Sequence, residues 1–120
     1  IKDLNWIENE YLPLVQQRGK AVIDARGASS AASASNAVID TVKSVDNATE
    51  EGNWFSAAVQ SDGSYETPEG LIFGFPLRSS GQGSVEIVQD IELNDFAKSK
   101  IKITAAELLS EKEAVQDLLD

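Results

Sequence analysis

Near residue 50 the hydrophobic pattern of this 120-residue chain changes period, and no other feature limits its fold as tightly. Upstream, Ala31, Ala34, Val38, Val42 and Val45 recur three and four residues apart, the period of one helical face. At about 1.5 Å per residue, a helix over residues 30–45 spans roughly 24 Å. Downstream the period is two. Phe55, Ala57 and Val59 share one side of a strand over residues 54–60. Leu71, Phe73, Phe75 and Leu77 alternate with Ile72, Gly74 and Pro76 in a second strand, and residues 84–88 read as a third. Ser61-Asp62-Gly63-Ser64 is a turn, and residues 79–83 are a hairpin loop. Pro76 has no N–H for a ladder, which places it near an edge or an end. Thr104-Ala105-Ala106-Glu107 then reads as a capping box opening a last helix, with Leu108, Val115, Leu118 and Leu119 on its stripe and Leu109 beside it. Helices, a three-stranded antiparallel meander and a closing helix make one α+β domain over residues 1–120.

The first part needs closer reading. Asp3 or Asn5 caps a helix carrying Trp6, Ile7, Tyr11, Leu14 and Val15, and Pro13 either kinks it or starts its main section. Gly19 breaks or joins two helical pieces, leaving residues 20–26 as a short run. Gly27 suits the position past a helix end, where a positive φ costs glycine little. Ser33, Ala34, Ser35 and Ala37 let a backbone or a flat ligand come close. The pattern predicts a buried helix whose N-terminal end meets something. Residues 50–53 form a turn, and Asn94 or Asp95 caps a short turn containing Phe96.

Composition removes several function classes. The net charge is −10, with 10 basic and 20 acidic residues, which argues against binding nucleic acid or an anionic membrane, since both need a basic patch. Without cysteine there is no disulfide or thiol chemistry. No apolar run approaches the ~20 residues that span a bilayer. There is no basic-then-apolar leader. Glu50, Glu51 and Asp62 match no calcium-loop spacing, so no metal site is expected. Gly81-Gln82-Gly83 precedes a strand and not a helix, which makes it a hairpin loop and not a phosphate cradle. Arg18 and Arg26 read as surface or interface ion pairs. The chain has no histidine and opens at Ile1 in mid-sentence, which suggests a piece of a larger protein.

One set of short segments is similar to a known family in order and spacing. It comprises Trp6, Gln16-Gln17-Arg18-Gly19, Ala21-Val22-Ile23, Ala25-Arg26, Ser29-Ser30-Ala31 and Ser33-Ala34. It continues through Ser61-Asp62-Gly63 with Tyr65, Phe75-Pro76 and Asn94-Asp95-Phe96, and then Thr104-Ala105, Glu107-Leu108 and Glu111-Lys112-Glu113. Together these resemble the C-terminal part of malate dehydrogenases of the cytosolic type, across nearly the whole chain. The resemblance implies the C-terminal domain of the lactate/malate dehydrogenase fold, a twisted antiparallel sheet backed by helices. It implies a cytoplasmic enzyme of the tricarboxylic acid cycle that interconverts malate and oxaloacetate with NAD and pairs as a homodimer through helices.

Such chemistry needs a base for the hydroxyl proton, a cation for the carboxylate and a nicotinamide to accept hydride. In the family these are a histidine with its aspartate, arginines, and a dinucleotide-binding domain. None is recognisable here, so they are expected upstream of Ile1, no catalytic residue is assigned to this chain, and the chain alone is expected to be inactive. By resemblance Ser29 and Ser30 lie near the substrate, and Ser33 and Ala34 near the nicotinamide ring. A serine hydroxyl can donate to a carboxylate oxygen. Ser29 or Ser30 equally suits the cap of the long helix, and both roles are compatible. A lactate-type dehydrogenase and a non-catalytic acidic α+β interaction domain are the competing readings.

Overall fold

The computed structural model describes residues 3–89 and 91–118. Two compact units divide it, Ile1–Asp40 and Thr41–Asp120.

In the first unit Asp3 caps the chain's opening helix, its carboxylate accepting from Trp6 N at 3.0 Å. Helix α1 (Leu4–Trp6) runs through a π-helical stretch (Ile7–Tyr11) into α2 (Leu12–Arg26). Pro13 lies in the first turn of α2, where a missing N–H costs nothing, so it starts the main section. The wider π turns lie directly before it. Gly19 does not divide the helix: α2 continues through it, and residues 20–26 are its second half. Gly27 ends α2 at φ 74°, its N–H bonded to Ile23 O at 2.8 Å. The Trp6 and Tyr11 rings lie 5.3 Å apart, whereas Leu14 and Val15 are exposed.

Helix α3 covers Ala32–Asp46, starting two residues and ending one residue later than the expected 30–45. The expectation of a buried helix is not met. Val38, Ile39 and Val42 are 63%, 53% and 60% exposed, and no residue of α3 is buried. A stripe at helical spacing shows which face is apolar, but not that this chain covers it.

The second unit is built on an antiparallel sheet in the order β1 (Phe55–Gln60), β2 (Ile72–Gly81), β3 (Ser84–Ile87). The alternation predicted for β1 and β2 is present: Phe75 and Leu77 are almost fully buried, and Ile72 faces out. Strand β2 runs further than its apolar residues, through Ser79 to Gly81. The loop reduces to Gln82-Gly83, both at positive φ (56° and 81°), with a register shift between Ser79 and Gly81. This hairpin also caps α3. Gln82 N donates to Asp46 O at 3.0 Å, Gly83 N to Val45 O at 3.3 Å, and Ser79 Oγ to Val45 O at 2.6 Å. Carbonyls that a helix end leaves unsatisfied are thereby filled.

The expectation of an edge or an end for Pro76 is not met: it lies inside β2, the central strand. Its carbonyl accepts from Val88 N at 2.9 Å, so both main-chain polar groups of residue 76 point toward β3. Its pairing with Ser56 on β1 is then of the non-hydrogen-bonded kind and needs no N–H. The missing bond falls where the β3 ladder ends. There the hydroxyl of Tyr65 donates to Val88 O in place of the proline.

Helix α4 spans Asp95–Ala114. The capping box at Thr104 is not one. Thr104 is an exposed residue in mid-helix, and the cap is Asn94, whose Oδ1 accepts from Ala97 N at 2.8 Å. Asn94 therefore opens a long helix, not a short turn around Phe96. Ala97, Ile101, Ala105 and Leu108 form its covered face, spaced four, four and three, with Ala105 buried. Ile101, Phe73, Phe75 and Ile91 border an apolar cavity of about 100 Å³. Val115 and Leu118 of the expected stripe are exposed, Leu118 by 83%, and Leu119 lies outside the described residues, as do Ile1 and Lys2.

Candidate functional site

The residues singled out by sequence lie together in the first unit. Gly27 turns the chain out of α2, and α3 begins after the link of residues 28–31. Within that link Arg26 reaches forward, its Nη1 donating to Ser29 O at 2.9 Å. This bond curls the link back toward the end of α2. Arg26 therefore shapes the serine segment, a role that reading it as an ion-pairing residue misses. Its signal in sequence is only proximity, three residues before Ser29. The ion pair seen on this helix is Lys20–Asp24 at 2.6 Å.

Ser30 and Ser33 meet through their hydroxyls. The side chain of Ser30 thus reaches the first turn of α3 through the side chain of Ser33. Both the N–H and the hydroxyl of Ser35 bond to Ala31 O at 3.0 Å, which fixes the first turn. Ser29, Ser33 and Ala34 are exposed and Ser30 is half-buried, so the tip is open and not sealed.

The tip is rich in donors. Hydroxyls of Ser29, Ser30 and Ser33 sit beside the amino end of a fifteen-residue helix, where the dipole favours an anion. Ala34 adds no bulk beyond a methyl group. Such a surface can bind and orient a carboxylate or admit a planar ring. None of Ser29, Ser30, Ser33 and Ala34 is itself a base near neutral pH, and the chain holds no histidine or cysteine. Among the described residues no group of three or more acidic residues is placed to hold a metal ion. No helix among them is long and apolar enough to cross a membrane. Among the described residues a titration shift lies elsewhere: hydrogen bonds from Ser64 hold the carboxyl of Asp62 below its ordinary value.

Residues 1–119 match the family model described as lactate/malate dehydrogenase, alpha/beta C-terminal domain. The chain belongs to this family. The lactate/malate dehydrogenase C-terminal fold is accordingly α+β, with the three-stranded antiparallel sheet and helices described above. The chain is 52% identical over 113 residues to a malate dehydrogenase of Cutibacterium acnes, covering 94% of this chain and 34% of that protein. A crystal structure of malate dehydrogenase from Naegleria fowleri superimposes with a TM-score of 0.90 at 38% identity, covering 97% of this chain and 35% of that one. Trichomonas vaginalis lactate dehydrogenase in complex with NADH and oxamate matches at 0.88 and 26% identity, over 99% of this chain and 37% of that one. This family member therefore spans about a third of the length of the relatives it matches.

Proposed function

We propose that this chain is the C-terminal, substrate-side domain of an NAD-dependent malate dehydrogenase. The observation that carries the reading is 52% identity to a malate dehydrogenase along 94% of the chain, against 26% to the lactate dehydrogenase. A dinucleotide-binding domain, the proton-accepting histidine with its aspartate, and the substrate arginines come from another part of the protein. What supports this is that the chain holds no histidine, the base that the resemblance implies for the alcohol proton.

Within that enzyme Ser29 and Ser30 donate hydroxyl hydrogen bonds to the dicarboxylic substrate. Ser33 and Ala34 border the nicotinamide ring of NAD, which accepts hydride when bound. The open, small-residue tip of α3 suits both, since nothing larger than a hydroxymethyl group occupies Ser29, Ser30, Ser33 or Ala34. Arg26 sets the position of this wall through Ser29 O. The exposed Val38, Ile39 and Val42 support self-association as a homodimer, in which a two-fold contact covers an apolar face with its own copy. The protein is cytoplasmic on this reading, following its likeness to the cytosolic type.

The test is an assay of the protein that carries this domain, following NADH consumption with oxaloacetate and with pyruvate. Preference for oxaloacetate is expected, and no turnover by the isolated 120-residue chain. Preference for pyruvate would move the protein to the lactate type. Turnover by the isolated chain would overturn the assignment of the base to another part.

A further inference from the structure

The turn after β1 places Gly63 directly behind an exposed aspartate, Asp62. Aspartate followed by glycine is the pair most open to ring closure, because glycine has no Cβ to shield its amide nitrogen. In the folded chain both reacting groups are restrained. Asp62 Oδ1 accepts from Ser64 N at 3.0 Å and from the Ser64 hydroxyl. That hydroxyl accepts in turn from Gln89 Nε2 at 2.8 Å. Gly63 N donates to Ser61 Oγ at 3.1 Å, and Ser61, which is buried, donates its hydroxyl to Thr67 O at 3.0 Å.

We infer that Asp62–Gly63 is a latent site of aspartate-to-isoaspartate conversion, held unreacted by the hydroxyls of Ser61 and Ser64. The chemistry closes without a co-reactant other than water. Gly63 N forms a bond to Asp62 Cγ and loses its proton, the Cγ–OH bond breaks, and one water leaves. Water then opens the five-membered imide. Attack at the former main-chain carbonyl gives isoaspartate, with the chain running through Cβ and Cγ; attack at Cγ restores aspartate. Nothing is oxidised, and the final mass is unchanged. To react, Gly63 N must give up its bond to Ser61, and the carboxyl must turn away from Ser64. The protonated carboxyl is the form that loses water, and the bonds from Ser64 disfavour that form as well. Conversion would add a main-chain carbon beside the bonds Ser61 N to Leu71 O (2.8 Å) and Gly70 N to Ser61 O (2.9 Å) that close this loop.

The test incubates the full-length protein at mildly acidic pH, where a fraction of the carboxyl is protonated and the fold persists, and measures isoaspartate at residue 62 by peptide mapping with electron-transfer fragmentation. Slow accumulation is expected in the native protein and fast accumulation in urea. Ser64→Ala should accelerate the native rate by roughly fivefold, the factor that one net hydrogen bond supports. Gln89→Ala, which leaves the turn's main chain untouched, should accelerate it less, and Ser64→Thr should keep the original rate. Replacing the buried Ser61 can unfold the turn, so the Ser64 and Gln89 variants decide, each checked for an unchanged cooperative melt. A native rate equal to that in urea overturns the inference. So does a natively folded Ser64→Ala protein reacting at the original rate.

Discussion

Tyr65 lies at φ 56°, a region that costs an L residue about 1–2 kcal/mol. What holds it there is local: Thr67 N bonds to Ser64 O at 3.1 Å, and the phenol hydroxyl fills Val88 O where Pro76 has no hydrogen to give. Removing that hydroxyl leaves both the strain and an unfilled carbonyl. Tyr65→Phe should therefore lose about 0.5–1.5 kcal/mol, seen in a urea melt as a lower midpoint with unchanged slope. Asp62, three residues earlier, gives a pH signature. Its folded-state value is lowered by Ser64, so the ionised carboxylate favours the folded turn. That contribution is complete above the ordinary carboxylate range and is lost as pH falls through the lowered folded value. A carboxyl titration by NMR should place Asp62 below a free aspartate, and Ser64→Ala should return it toward the ordinary value. The period-two pattern around Pro76 was legible in sequence; how the central strand accommodates a proline was not, because that depends on which neighbour its carbonyl faces.

Two helix starts illustrate what short motifs can and cannot say. Asn94 and Thr104 both precede helix-forming residues, and Thr104 has the fuller signature, with Glu107 three residues on. Only Asn94 caps, because Ala97, Lys98, Lys100 and Lys102 continue the helix upstream of Thr104. Asn94→Ala should cost about 1 kcal/mol of stability. Thr104→Ala, on an exposed mid-helix position, should cost nothing and gain a few tenths of a kcal/mol. Thermal melts of the two variants separate the roles; equal losses would restore the capping box. Strand existence, the 61–64 turn and the Gly27 stop were readable because alternation and glycine chemistry are local. Helix ends were less so, since a cap is defined by the amide it meets.

At the scale of the whole molecule, the valine stripe was visible in sequence but its burial was not. Hydrophobic spacing describes a face, and what covers that face is a property of the assembly. The serine segment was likewise legible as small and polar, whereas the Arg26 bond that shapes it required coordinates. On the dehydrogenase reading, Ser30→Ala in the complete enzyme should raise KM for oxaloacetate several-fold, as one lost hydrogen bond would, with the melting temperature nearly unchanged. Unaltered kinetics would reduce Ser30 to a partner of Ser33.

The last turn of α3 and the tip of the β2–β3 hairpin share their bonds through Val45 and Asp46. The amides of a two-residue turn ordinarily face solvent and trade their protons for deuterium quickly. Here Gln82 and Gly83 N–H are docked into a helix end, so they should resist exchange about as long as that helix end does. Loosening either one would release the other: tip and helix end should open in a single event.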